Sequence, residues 1–171
     1  MTAYDFKLTF ALPDADADAD AAAYLDALFE AGCDDATVGI GKPGSLGLAF
    51  TREAESAENA LKSAIEAVKK AVPGAELIEV TPDLVNLSDL AQMVGCTRQN
   101  IRKYAIGEVR SAKARFPAPA FASPQTVWHF YNIACWLNKY TDLHPPREVI
   151  ETSRVAYALN LERQNKLLEA N

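Results

Sequence analysis

The stretch Asn86-Leu87-Ser88-Asp89-Leu90-Ala91-Gln92-Met93-Val94-Gly95-Cys96-Thr97-Arg98-Gln99-Asn100-Ile101-Arg102-Lys103-Tyr104 holds two short amphipathic runs on either side of a glycine. In the first run Leu90, Ala91 and Val94 share one face at helical spacing. Asn86 can cap that helix, with Asp89 three positions on to bond back to the cap backbone as in a capping box. Gly95 offers the left-handed backbone that a tight turn demands. Thr97 can cap a second helix whose inner positions are Ile101 and Tyr104. Its outer positions, Arg98, Gln99, Asn100, Arg102 and Lys103, are all basic or amide. Ala91 is small, as a close crossing of the two helices requires. The register predicts a helix-turn-helix.

That outer face has the chemistry of base recognition. Arginine bonds guanine bidentately in the major groove, and Asn or Gln can do the same to adenine. Arg102 and Lys103 are placed to hold phosphates, which orient a helix without reading sequence. The plain alternative is a helical hairpin with a solvated charged face. The distribution of charge weighs against it. The chain carries −6 overall, yet residues 85–140 hold seven Lys/Arg against two Asp/Glu, while residues 1–84 hold six against sixteen. One module is suited to phosphates and the other is not. Arg110, Lys113 and Arg115 extend the basic segment beyond the second helix.

The motif continues downstream. Leu90-Ala91 and Gly95-Cys96-Thr97-Arg98-Gln99-Asn100-Ile101 are followed by Phe116-Pro117-Ala118-Pro119, then Trp128, Ile133 and Trp136-Leu137. In this order, residues 86–137 resemble the winged helix-turn-helix of MerR-type and AlpA/excisionase-like proteins. The resemblance implies that Arg98, Gln99, Arg102 and Lys103 face DNA and that the residues from Arg115 to Gln125 form a wing. It also implies that Trp128, Ile133 and Trp136 pack as core. The candidate DNA-binding set is Thr97, Arg98, Gln99, Asn100, Arg102, Lys103, Arg110, Lys113 and Arg115, with the helix 97–104 in the major groove.

Upstream, two hydrophobic periods alternate. Tyr4, Phe6, Leu8, Phe10 and Leu12 recur every second residue and predict a half-buried strand. Tyr24, Leu25, Leu28 and Phe29 predict a helical stripe closed by Gly32. Val38 and Ile40 should pair as a hairpin with Leu46, Leu48 and Phe50 across a turn at Lys42-Pro43-Gly44-Ser45. A second helix starts after the cap residue Ser56, carries Leu61, Ile65, Val68 and Val72 on one face, and stops at Pro73-Gly74. Leu77 to Val80 is a last strand. The order β-α-β-β-α-β predicts a ferredoxin-like fold, two helices on one face of an antiparallel sheet. The whole chain thus reads as α+β: a ferredoxin-like domain over 1–81, a winged helix-turn-helix domain over 82–140, and a C-terminal helical segment over 141–171.

Within that last segment Ile150, Tyr157, Leu161 and Leu168 form a stripe on a polar helix, beside Val149, Ala156 and Leu159. Such a stripe suits a second copy of the chain, and two-fold DNA readers need one. A homodimer is therefore expected. The acidic residues 3–81, which phosphates would repel, are expected to regulate the module by taking a protein or small ligand, with the loop from Gly41 to Ser45 and the sheet edge as candidate places, or by adding a dimer contact; a purely structural dimerisation domain is the plain alternative. An antitoxin or immunity-type module that masks a protein partner and binds DNA for autoregulation is the rival reading.

Other classes find no support in the residues. The run Asp14-Ala15-Asp16-Ala17-Asp18-Ala19-Asp20 starts like a calcium loop, but neither register brings a glycine or a glutamate to the required places. It reads as an acidic helix start or a solvated loop. Cys33, Cys96 and Cys135 form no CxxC pair, which fits a reducing cytoplasm and no zinc site. Each reads as a small buried hydrophobe. The two histidines are His129, expected in the core between Trp128 and Phe130, and His144, expected in a solvated loop. No nucleophile elbow, phosphate loop or HExxH is present, and Gly39-Ile40-Gly41-Lys42-Pro43-Gly44 reads as a turn. No catalytic residue, metal ligand or cofactor is expected. No apolar run approaches the roughly 20 residues that span a bilayer, and no secretory signal is visible. The expected location is the cytoplasm, at the nucleoid, with double-stranded DNA as partner.

Overall fold

A computed structural model describes residues 1–13, 21–39 and 42–171. The aspartate run, Ile40 and Gly41 lie outside the described residues, so the expectations resting on them are neither met nor refused. The fold is α+β, with a four-stranded antiparallel sheet and six α-helices among the described residues. The chain divides into two compact units, residues 1–81 with 158–171 and residues 82–157.

In the first unit the alternation of the N-terminal segment becomes β1 (Thr2–Ala11), with Tyr4, Phe6, Leu8 and Phe10 all buried. After a 3-10 turn at Ala21–Tyr24 follow α1 (Leu25–Glu30), β2 (Ala36–Gly39), β3 (Ser45–Ala54), α2 (Ala57–Ala71) and β4 (Glu76–Thr81). The sheet order is β2-β3-β1-β4. Leu8 stands between Leu48 on β3 and Val80 on β4, and Phe6 stacks on Phe50 at 5.2 Å. Val38 faces Leu48 in the β2–β3 pairing. Ser56 caps α2 by accepting the Asn59 amide. Leu61, Ala64 and Val68 lie buried on one face of that helix, which packs against β1 and β3.

Helix α1 ends as its glycine predicts. Gly32 (φ +93°) donates to the Phe29 carbonyl and Cys33 to the Leu28 carbonyl, the two bonds of a Schellman motif. The expected stripe is narrower, however. Leu28 is buried, but Phe29 is 68% exposed and Leu25 is also exposed. A helix of under two turns can aim only one of these side chains squarely at the sheet. Arg52 braces the same corner: its guanidinium pairs with Asp35 at 2.7 Å and donates to the Gly32 carbonyl.

The second unit starts with β5 (Leu84–Val85), then α3 (Leu87–Val94) and α4 (Arg98–Ala105) on either side of the turn Gly95-Cys96-Thr97. An isolated bridge joins Phe121 to Val127, β6 (Trp128–His129) pairs with β5, and α5 (Phe130–Tyr140) and α6 (Arg147–Glu169) follow. The core gathers Val85, Leu90, Ala91, Ile101, Phe116, Phe130, Ile133, Trp136 and Leu137. Phe116 is wedged edge-on between Trp128 and Trp136, with ring centroids 5.9 and 5.2 Å away. His129 is not the core residue expected. It flanks the start of α5, donates through Nδ1 to the buried carboxylate of Asp83 at 2.6 Å, and stacks on Tyr157.

In helix α6, residues 147–157 fall in the second unit and residues 158–169 in the first. Its buried residues are Thr152, Ser153, Val155 and Ala156. Of the expected stripe, Ile150 and Tyr157 are half-buried and Leu161 and Leu168 are exposed, as is Leu167. The Thr152 and Ser153 hydroxyls bond back to the carbonyls of Glu148 and Ile150, which satisfies two polar side chains where they are buried. No helix among the described residues is long and apolar enough to cross a membrane.

Candidate nucleic-acid interface

The geometry around Gly95 follows from local chemistry. The Asn86 side chain accepts the Asp89 amide at 2.9 Å, and the Asp89 carboxylate accepts the Asn86 amide, so the capping box is reciprocal. Gly95 sits at φ +79°, and its amide and that of Cys96 both donate to the Ala91 carbonyl. Thr97 Oγ1 accepts the Asn100 amide at 3.1 Å and caps α4. Ile101 and Leu90 are fully buried, and Tyr104 meets Trp136 edge-on at 6.0 Å. With that face anchored, the opposite face of α4 must point to solvent.

Thr97, Arg98, Gln99, Arg102 and Lys103 are all exposed, as are Arg110, Lys113 and Arg115. Asn100 is half-buried, and Cys96 beside it in the turn is half-buried too. Burial pushes the Cys96 thiol's pKa up, and the neighbouring Asn100 side chain partly offsets the rise. Thr97 and Asn100 thus shape the turn as well as standing beside the outer face.

A groove of about 480 Å³ opens beside α4. Arg98 and Arg102 line one side, Asn86, Leu87 and Ser88 at the start of α3 another, and Gln125 and Thr126 a third. A helix start presents amide hydrogens and a partial positive charge, so this arrangement favours an anion such as a phosphate. Ser88 was not among the candidates. Its only sequence signal was the capping box, which marks the start of α3 but does not say which groove that start faces.

The segment expected as a wing divides in two. Backbone pairing closes at Phe121 and Val127, with bonds of 3.3 and 2.9 Å, so Ala122 to Thr126 form the tip of a short hairpin. Arg115 to Pro119 precede it and are held to the core instead, by Phe116 and by the Trp128 indole donating to the Pro117 carbonyl at 3.1 Å. The basic residues Lys113 and Arg115 therefore lie ahead of the hairpin and line a separate cavity. Gln99, Lys103 and Arg110 line neither space.

Residues 82–157 carry nine Lys/Arg against six Asp/Glu, and the remainder of the chain carries eight against seventeen. Among the described residues no group of three His, Cys, Asp or Glu side chains could hold a metal ion. No protein-family model matches the chain, no curated protein is significantly similar to it, and no solved structure is either.

Proposed function

We propose that the chain is a sequence-specific double-stranded DNA-binding regulator, a repressor, that lays α4 in the major groove. The observation that carries this reading is the convergence of Arg98 and Arg102 with the start of α3 and the hairpin tip on one groove, on a helix whose other face is locked by Ile101. Arg98 and Gln99 stand at the exposed start of the helix and read base edges; Arg102 and Lys103 hold phosphates. The finer fold assignments belong to the same proposal: a winged helix-turn-helix with the 121–127 hairpin as wing, and a ferredoxin-like regulatory domain built on β1 to β4. The chain acts as a homodimer at the nucleoid, and the exposed Leu161 and Leu168 support the last turns of α6 as one contact between copies. The acidic first unit takes a protein or small-ligand partner.

Selection of bound duplexes from a random pool, followed by titration of the enriched site, tests the reading. Wild type should enrich a defined sequence, and an Arg98/Arg102/Lys103 triple alanine should enrich none. Equal binding by the two proteins would overturn the proposal.

A further inference from the structure

The cavity of about 930 Å³ behind the C-terminal end of α4 is not used by the DNA-reading face. Tyr104, Phe116 and Trp128 give it aromatic walls, and Ile106 adds an aliphatic one. Lys113 and Arg115 are the charged residues lining it, with no carboxylate among the lining residues. Neither cation forms an ion pair among the described residues. Directly behind this wall the Trp136 indole N–H, packed against Tyr104 and Phe116, is buried without a hydrogen-bond partner. Aromatic side chains beside two cations that form no ion pair, with no acid in the lining, suit a small organic anion with an aromatic body. The size is that of an ordinary small-molecule site, about 300–1,000 Å³.

We infer that this cavity binds such an anion, and that the anion releases the protein from DNA. This rests on the DNA-binding reading above. Two observations connect the sites. Ala105, Ile106 and Trp128 line both the cavity and the groove holding Arg98 and Arg102, so a ligand pressing on that wall acts on the C-terminal end of α4. Lys113 and Arg115 also belong to the basic segment, so a ligand that neutralises them withdraws two charges from the phosphates. Linkage then makes the effect reciprocal: the ligand weakens DNA binding by the factor with which DNA weakens the ligand.

The test uses the full chain and 1-anilinonaphthalene-8-sulfonate, an aromatic anion, beside its uncharged relative N-phenyl-1-naphthylamine. Trp128 and Trp136 are the tryptophans of the chain, and Trp128 lines the cavity, so a probe bound there should receive energy transfer from tryptophan. One anionic probe per chain should bind with transfer, and preferentially over the neutral probe. Lys113→Ala/Arg115→Ala should lower affinity for the anion about tenfold or more, the loss expected for charge-assisted contacts, and abolish the preference. Circular dichroism checks that these surface changes leave the fold intact. The enriched duplex should displace the probe. An anion preference unchanged in the double variant, or binding without transfer, would overturn the site; probe and duplex bound together without mutual weakening would overturn the release. A chain that binds the probe as described but no duplex would overturn the DNA reading, and the release with it, while the anion site stands on the probe titrations.

Discussion

Asn160 closes both backbone groups of Val80: its Oδ1 accepts the Val80 amide at 2.9 Å and its Nδ2 donates to the Val80 carbonyl at 2.8 Å. One turn on, Arg163 donates to the Leu77 carbonyl at 2.7 Å. Strand β4 ends the sheet, and these side chains occupy hydrogen-bonding groups that another strand could otherwise use. Asn160→Ala should cost about 1–2 kcal/mol in urea unfolding, the scale of backbone groups left unpaired. It should also raise the tendency to self-associate, read by light scattering. An unchanged midpoint would show that the edge needs no such cover.

Gly95 adopts φ +79° with open space where a Cβ would stand, so a substitution there meets backbone strain without a clash. Gly95→Ala should destabilise by about 1–2 kcal/mol, the usual cost of a left-handed alanine. Gly95→Asn should recover part of that, because asparagine tolerates this conformation better. Thermal melts of the two variants decide it, and equal losses would point to a cause other than the backbone angle.

Arg98 and Lys103 should fail differently on DNA. Arg98→Ala is expected to cost about 1–3 kcal/mol on the enriched site and to relax base preference at one position. Lys103→Ala should weaken binding to all sequences alike and reduce the salt slope by about one. Anisotropy titrations at several salt concentrations separate the two patterns. A uniform loss for Arg98→Ala would move that residue from base reading to phosphate holding.

Cys96, Cys135 and Cys33 are half-buried, exposed and buried. Iodoacetamide should therefore modify Cys135 first and Cys33 only on unfolding. Burial raises the Cys96 pKa, so its alkylation should accelerate at higher pH than that of a free cysteine. Asn100→Ala removes the side chain that lowers this pKa and should delay the rise further. Bound duplex should protect Cys96, beside the cap of α4, but not Cys135; mass spectrometry of modified peptides gives both rates.

The sequence by itself determined the features that act over a few residues. The alternation of Tyr4 to Phe10 made β1, the Asn86–Asp89 box and Thr97 set the starts of α3 and α4, and Gly32 and Gly95 took the left-handed angles that ended their helices. Caps, turns and periodic faces are decided by neighbours in the chain, so they can be read from it. With Ile101 and Tyr104 assigned inward, the outward place of Arg98, Arg102 and Lys103 was legible too. Only the tertiary structure decided what depends on distant segments meeting. Asp83 finds His129 46 residues away, and Asn160 finds Val80 80 residues away. Neither pair has any local signature. The same holds for α6, where burial within the chain went to Thr152, Ser153, Val155 and Ala156 and left Leu161 and Leu168 exposed. A helix's hydrophobic pattern offers a face, but what the rest of the chain brings against it chooses which residues are covered. The grooves on either side of Ala105 and Ile106 arise in the same way, from the start of α3, the end of α4 and the segment 107–128 folding past one another.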